Sequence, residues 1–240
     1  MQLQSLFSLS FSLASFLTGA PNATFEDTHS CQDQAVTIQQ FPLIQPGHGQ
    51  TQQDTVQELT EAMSKLKATS GMKLEHAYVG VIDSNIAEQI FLWTSVAEAS
   101  TVDTIKPFTS FSSTGSLNSS TSVFNDKATL LRSLEYPIIE TGVVDILPNV
   151  STIKVERDEA VIIESILKTG LALGGPHGVQ HIEGRRTFMM INGWNSSQAV
   201  AEWAEGVMKD PVISQVYHEL CQYFVGGPPT VLFKSMTEVL

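Results

Sequence analysis

The segment "INGWNSSQAVAEWAEG" (Ile191–Gly206) runs from an apolar strand into a Trp and then into a helix that small polar residues open. An earlier segment, "IFLWTSVAEAST" (Ile90–Thr101), has the same order of features. The two tryptophans that end these strands, Trp93 and Trp194, lie 101 residues apart in a chain of 240 residues. This spacing indicates an internal duplication of about a hundred residues.

Alignment of the chain with itself at this offset keeps the predicted elements in register without gaps. It pairs His76 with His177 and Ser95 with Ser196, although identity between the halves is low. In each half a strand precedes an amphipathic helix, a pair of strands and a further helical segment, as the apolar periods indicate. The sequence therefore predicts two βαββαβ units, residues 36–135 and 136–240, preceded by a polar segment at 21–35.

The segment expected to form the fourth strand of each unit has the weakest alternation of apolar and polar residues. In the first unit we expect "ATLLRSLE" (Ala128–Glu135) to supply it. The Ser/Thr-rich run before it, Thr109–Phe124, has little periodicity and is interpreted as a surface loop or a degenerate helix. In the second unit "PPTVLFKSM" (Pro228–Met236) is the expected fourth strand.

A βαββαβ unit with a Trp at the end of its third strand and a small-residue helix behind it, as in "WTSVAEA" and "WNSSQAVAEW", resembles the dimeric α+β barrel superfamily. Antibiotic-biosynthesis-monooxygenase (ABM) domains are the most similar members. In that superfamily two ferredoxin-like sheets pack face to face, usually in a homodimer. The resemblance implies a tandem, pseudo-dimeric α+β barrel within one chain, so a folded monomer is possible. A second sheet would cover the apolar face that the first leaves bare.

Family members that act as cofactor-independent oxygenases or heme-degrading enzymes use a pocket between sheet and helices, lined by Trp, His, Asn, Tyr or Arg. Alternation in "FMMINGW" places Asn192 and Trp194 on one strand face. There the Trp could stack on an aromatic substrate, and the Asn could hydrogen-bond a phenolate or developing oxyanion. The resemblance thus directs attention to candidate catalytic residues His181, Asn192 and Trp194, and to candidate substrate-binding residues His177, Trp93 and His76.

Each of these residues has a plainer interpretation. Both tryptophans can be core anchors. His177 and His181, four apart on a predicted strand, share a face that could seat a metal or a general base, but without a third ligand they make a poor metal site. We therefore expect no metal and no organic cofactor. Phe91 and Gly80 stand where Asn192 and His181 would be, which predicts a pocket in the second half alone.

The composition and the absence of several common motifs exclude some classes of function. The net charge of −12 excludes the electrostatic footprint of a nucleic-acid binder. The sequence contains no G-x-S-x-G, P-loop, G-x-G-x-x-G or H-E-x-x-H motif. Two hypotheses remain. The chain is a secreted, ABM-like monooxygenase acting on a small hydrophobic or aromatic metabolite, or it is a non-catalytic small-molecule-binding or structural protein with the same fold.

The first twenty residues, "MQLQSLFSLSFSLASFLTGA", predict a cleaved signal peptide, with a membrane anchor as the alternative that the short apolar run disfavours. No later segment is long and apolar enough to span a membrane. Secretion would permit one disulfide between Cys31 and Cys221, whereas two buried thiols are the alternative. It would also permit glycosylation at four sequons, Asn22, Asn118, Asn149 and Asn195.

Overall fold

The structure is a computed structural model, and it describes residues 34–42, 52–71, 73–82, 86–101, 118–124, 126–173, 177–182, 185–228 and 231–239. The predicted signal peptide, most of the polar segment, Asn22 and Cys31 lie outside the described residues. The described part of the chain forms two antiparallel sheets with helices packed against them.

Sheet 1 is built by the first half of the chain. Its strands are β1 (Gln34–Pro42), β2 (Leu74–Ile82), β3 (Ile86–Trp93) and β4 (Asn118–Phe124), and its helices are α1 (Gln52–Ser70) and α2 (Val96–Thr101). The strands lie in the order β2-β3-β1-β4, and all three pairings are antiparallel.

Helix α1 covers the outer face of sheet 1. Its buried residues Leu59, Met63 and Leu66 recur at steps of three and four, which puts them on one side of the helix. They pack in one cluster with strand residues that include Val79 and Trp93. The β-α-β-β part of the first unit is therefore present with the predicted element types.

The fourth strand of the first unit was predicted in the wrong place. Residues 127–134 form a helix, α3 (Lys127–Leu134), which Asp126 caps by accepting a hydrogen bond from the backbone nitrogen of Thr129 at 2.9 Å. The strand is β4, inside the Ser/Thr-rich run, and it pairs with β1 along seven residues. Because β4 lies at the edge of the sheet, backbone pairing and the 2.7 Å bond between the Thr37 and Thr121 hydroxyls hold it without an apolar pattern.

Sheet 2 is built by the second half. Its strands are β5 (Ile138–Asp145), β6 (Ala172–Leu173), β7 (His177–Ile182), β8 (Arg185–Trp194) and β9 (Val231–Lys234). Its helices are α4 (Thr152–Thr169), α5 (Ser197–Lys209) and α6 (Pro211–Cys221). The order is β6-β8-β5-β9, with β7 also paired to β8, so β5 lies between β8 and β9 as β1 lies between β3 and β4.

The C-terminal strand β10 (Thr237–Glu238) leaves sheet 2 and pairs with β2 of sheet 1. The chain crosses closely over Gly80, where an added Cβ would lie 2.8 Å from the Ser235 carbonyl oxygen and against the Met236 sulfur. A side chain cannot occupy this position without displacing the crossing, which is a physical reason for Gly80 where the second half has His181.

Three apolar clusters fill the layers. Two lie on the outer faces of the sheets, beneath the helices, and contain Trp93 and Trp194 respectively. The third joins side chains of both sheets and of helix α3. Its largest apolar members include Ile38, Ile90, Leu92, Phe124, Leu130, Ile139, Met189 and Ile191. The two sheets therefore pack through a shared apolar layer.

Candidate active site

The outer face of sheet 2 carries a buried carboxylate held by two side chains of β8. Glu140 on β5 accepts a hydrogen bond from Asn192 Nδ2 at 2.9 Å and another from Trp194 Nε1 at 2.8 Å, both on Oε2. Residues 140 and 192 are directly paired across the two strands. Glu140, Asn192 and Trp194 are 7%, 2% and 0% exposed, so water reaches this group very little.

A second carboxyl group faces the first from helix α4. Glu159 is buried at 2% exposure and occupies the apolar side of its helix, in step with Val155, Ile162 and Ile166. Burial, together with the charge of Glu140, raises the pKa of Glu159 to about 8. No hydrogen bond from the described residues holds its carboxyl group. Burial and the charge of Glu140 therefore favour the protonated form of Glu159 at neutral pH.

Glu140 is under opposing influences. Burial raises its pKa, whereas the bonds from Asn192 and Trp194 and the positive charge of Lys234 lower it, and the net shift is upward. Because the two carboxyl groups interact electrostatically in a site of low polarity, a charge on one disfavours ionisation of the other. This pair is the strongest candidate for acid–base chemistry in the described part of the chain.

Helix α6 places a phenol and a thiol beside the pair. Tyr217 and Cys221, one helical turn apart, are hydrogen-bonded to each other. Burial raises the pKa of the Cys221 thiol to about 11, and burial with nearby charges, including both carboxyl groups, raises the pKa of Tyr217. Both side chains are uncharged at neutral pH. Cys221 forms no disulfide with a residue that the structure describes, and because Cys31 lies outside the described residues, their disulfide stays a prediction.

Sheet 1 has an equivalent tryptophan, but its indole nitrogen donates to a hydroxyl instead of a carboxylate. Trp93 ends β3 as Trp194 ends β8, and its Nε1 donates to the Thr37 hydroxyl at 2.9 Å. Thr37 is paired with Phe91 as Glu140 is paired with Asn192. A threonine hydroxyl and a phenyl ring thus stand where sheet 2 has a carboxylate and an amide. Trp93, 1% exposed, is a core residue.

The predicted histidines do not gather at this cluster. His76 lies on sheet 1, where its Nδ1 is 2.7 Å from Glu238 Oε1 on β10 and its ring stacks on Tyr78. The backbone of His181 pairs with Arg186, six residues before Asn192, which is a separation of about 20 Å along the strand. This register overturns the expected convergence of His181 with Asn192 and Trp194, and the role of His181 stays a prediction.

His177 is the histidine whose backbone lies beside the relevant end of β8. It pairs with Met190, two residues before Asn192, a separation of about 7 Å along the strand. Its proposed contact with substrate stays a prediction, because the structure describes the backbone of His177 and not its side chain.

The sequence did not predict that Glu140, Glu159, Tyr217 and Cys221 belong to one site. A local signal existed for Glu159, because a carboxyl group on the apolar stripe of an amphipathic helix is unusual unless it has a role or a partner. Glu140 is likewise an isolated acid inside an apolar strand. Their proximity depends on packing between β5 and α4, which no local pattern reveals.

The described ranges contain neither a metal-binding cluster nor a membrane-spanning helix. No group of three or more His, Cys, Asp or Glu side chains there could hold a metal ion. Among the helices that the structure describes, none is long and apolar enough to cross a membrane.

The fold can be compared with known structures at low sequence identity. One similar structure is an anthrone oxidase-like protein, with a TM-score of 0.54, 12% identity, and coverage of 86% of this chain and 93% of that chain. Another is a candidate chlorite dismutase, with a TM-score of 0.51, 9% identity, and coverage of 86% and 96%. These neighbours belong to the dimeric α+β barrel superfamily. The present chain has the fold of that superfamily.

The α+β barrel assignment confirms the predicted mixture of helices and antiparallel sheets. No protein-family model matches the chain, and no curated protein sequence matches it. At these identities the likeness concerns the fold alone. Any chemistry of this chain therefore depends on its own residues, above all Glu140, Glu159 and the side chains around them.

Proposed function

We propose that this α+β barrel protein is an ABM-like, cofactor-independent monooxygenase-type enzyme that oxidises a small aromatic carbon acid with dioxygen. The observation that carries the proposal is the buried pair formed by Glu140 and Glu159, with Asn192 and Trp194 fixing one partner. The anthrone oxidase-like neighbour suggests the substrate class, a planar molecule with an acidic methylene beside aromatic rings and a carbonyl group.

Glu159 is the proposed general base. A pKa of about 8 matches the task of removing a proton from a weak carbon acid near neutral pH. Its carboxyl group is not committed to a hydrogen bond among the described residues, whereas Glu140 Oε2 accepts two. Asn192 and Trp194 then act by positioning Glu140, whose charge adds to the effect of burial in raising the pKa of Glu159.

The proposed reaction converts a methylene into a ketone. Glu159 in its carboxylate form takes one methylene proton, and the carbanion left behind is delocalised into the substrate carbonyl. Dioxygen is the oxidant: it accepts the electron pair, forms a carbon–oxygen bond and takes up the proton as a hydroperoxide. Loss of the second C–H proton with cleavage of the O–O bond releases water. One dioxygen thus yields one ketone oxygen and one water.

The test is oxygen uptake with anthrone as the probe. We expect Glu159→Gln to lower the rate by about 10²- to 10⁴-fold, the usual contribution of a general base. Glu156→Gln, which changes an exposed residue of the same helix, should leave the rate unchanged. Thermal unfolding of each variant checks that the fold is intact. A folded Glu159→Gln variant with the wild-type rate would contradict the proposed role.

A non-catalytic binding or structural role is the second candidate. It is favoured by the full burial of Trp194 and Asn192 and by the hydrogen bonds that they already make to Glu140. In that case the cluster would be a polar element of the core. Wild-type protein that consumes no oxygen with anthrone, and in which Glu140→Gln changes only stability, would favour this role.

We also propose that the two sheets are a tandem repeat that reproduces the homodimeric barrel within one chain. Support comes from the matching strand orders and from the hydrogen bonds that the indole nitrogens of Trp93 and Trp194 donate at equivalent positions. Because each chain supplies both sheets, a folded monomer should exist. Light scattering that finds a dimer at every concentration would contradict the monomer.

Secretion is the proposed location, with residues 1–20 removed. Of the described sequons, Asn149 is exposed in a turn, whereas Asn195 donates its Nδ2, the atom a glycan would occupy, to the Gly170 carbonyl at 3.3 Å. Asn118 begins strand β4 instead of lying in a loop. We expect Asn149 to be the preferred glycan acceptor. Intact-mass analysis of Asn149→Gln from a eukaryotic host, before and after glycosidase, tests this, and an unprocessed wild type without glycan would contradict secretion.

A further inference from the structure

A surface groove lies between helix α4 and the junction of helices α5 and α6. It has a volume of about 320 Å³, which is within the range of small-molecule sites. Its apolar lining includes Trp203, Val161, Val207 and Ile213, and the Ser165 hydroxyl lies among them. The groove therefore presents the accessible part of one indole among aliphatic side chains, which suits contact with a flat apolar molecule.

Trp203 connects this groove to the buried carboxyl pair. Its indole is 7% exposed, and its Nε1 donates to the Ser165 hydroxyl at 3.2 Å. The ring centroids of Trp203 and Trp194 are 5.7 Å apart, and Trp194 Nε1 donates to Glu140. Two tryptophan side chains in contact therefore lie between the groove and the carboxylate of Glu140.

Gly206 keeps the groove open. It lies in the interior of α5, where a glycine weakens the helix relative to most residues. A Cβ added at this position would meet no atom within 4 Å, so the space beside the helix is empty. A larger side chain at Gly206 would project into space at the groove without clashing with the existing packing.

The charges around the groove determine which ligands it would accept. Three carboxylate side chains, Glu164, Glu202 and Asp210, line it together with one ammonium group, Lys168. Glu164 and Lys168 form an exposed ion pair at 2.8 Å. The remaining negative charge disfavours an anionic ligand and tolerates a neutral one.

We propose that this groove is the docking site through which a neutral, planar aromatic molecule reaches the buried carboxyl pair, with its ring against Trp203. The inference rests on the proposed function for the identity of the ligand, but its binding can be measured without turnover. Deeper entry would require the Trp203 side chain to move and to break its bond to Ser165.

The experiment compares two probes of the same ring size. We expect 2-naphthol, which is neutral at pH 7, to bind the full chain, and naphthalene-2-sulfonate to bind at least about tenfold more weakly because of its charge. Gly206→Leu should weaken 2-naphthol binding by at least about tenfold while retaining or raising the melting temperature. Glu205→Leu places the same side chain one residue earlier, outside the groove lining, and should leave the affinity unchanged.

The outcomes separate this inference from the proposed function. Loss of 2-naphthol binding in Gly206→Leu but not in Glu205→Leu supports the groove, whether or not anthrone is oxidised. If Glu159→Gln abolishes oxygen uptake while Gly206→Leu changes neither binding nor turnover, the enzyme proposal stands and the groove inference is overturned. Absence of 2-naphthol binding to the wild type, or tighter binding of the sulfonate, would also overturn it.

Discussion

At the scale of single residues, the two carboxyl groups of the cluster differ in what holds them. Glu140 accepts bonds from two β8 side chains, whereas Glu159 is set by burial and by the charge of Glu140. Strand alternation was enough to predict that Asn192 and Trp194 share a face. It could not reveal Glu140 as their partner, because the pairing of β5 with β8 joins positions 52 residues apart.

The raised pKa of Glu159 makes the stability of the protein depend on pH. Its pKa lies above the ordinary value of 4.5 and reaches about 8, so the folded protein keeps a proton that the unfolded chain has released. The corresponding stability is complete at acidic pH and is lost as the pH rises through about 8, with a slope of at most about 1.4 kcal/mol per pH unit.

Urea unfolding of the wild type and of Glu159→Gln at pH 5 to 9 measures this contribution. We expect the variant to gain stability relative to the wild type as the pH rises, because glutamine releases no proton. A difference between the two proteins that does not change with pH would contradict the raised pKa of Glu159.

The two equivalent tryptophans provide a matched pair of substitutions. Trp194→Phe removes a donor from a buried carboxylate, whereas Trp93→Phe removes one from a neutral hydroxyl. Hydrogen bonds to charged groups contribute about 1.5–3 kcal/mol and neutral ones about 0.5–1.5 kcal/mol, so Trp194→Phe should cost roughly 1 kcal/mol more. Urea unfolding of both variants checks the order, and equal costs would mean that Glu140 is protonated in the folded state.

At the scale of elements, apolar periodicity predicted the long helices and the buried strands but not the polar strand β4 at the edge of sheet 1. Helix α1 and strands β3 and β8 contain regular apolar patterns because tertiary burial requires them. Strand β4 can be Ser/Thr-rich because pairing with β1, the Thr37–Thr121 bond and the buried Phe124 at its end hold it in place. The segment after it has its buried residues Leu130, Ser133 and Leu134 at helical spacing, which is the signal that the strand prediction overlooked.

Helix α3 depends on its N-cap. Asp126 accepts bonds from both the backbone nitrogen and the hydroxyl of Thr129, at 2.9 and 2.6 Å. Asp126→Ala should therefore cost about 1 kcal/mol, and Asp126→Asn, which retains a cap acceptor, should cost less. Chemical denaturation of both variants is the measurement. If alanine and asparagine are equally tolerated, the cap does not stabilise the helix.

At the scale of the whole molecule, a buried polar group joins the two sheets within their shared apolar layer. Lys234 on β9 lies 2.5 Å from Glu88 Oε1 on β3, and both side chains are fully buried. Thr141 of sheet 2 donates to the Glu88 carboxylate, and Gln40 of sheet 1 donates to Glu88 Oε2 at 2.6 Å. The sequence gives no local sign of this group, because its members come from four strands that meet only when the sheets pack.

Removing one partner of the ion pair between Lys234 and Glu88 should lower the free energy of unfolding of the whole protein. Lys234→Met leaves the Glu88 carboxylate buried without its cation, which costs about 3–5 kcal/mol in such pairs. The control is Lys209→Met, whose exposed pair with Glu205 at 3.7 Å should contribute at most about 1 kcal/mol. Adding Glu88→Gln to Lys234→Met should recover much of the loss, since the uncompensated charge is then gone. Urea unfolding of the three variants tests whether the ion pair holds the two sheets together. If Lys234→Met lowers the free energy of unfolding no more than Lys209→Met does, apolar packing alone holds the sheets together.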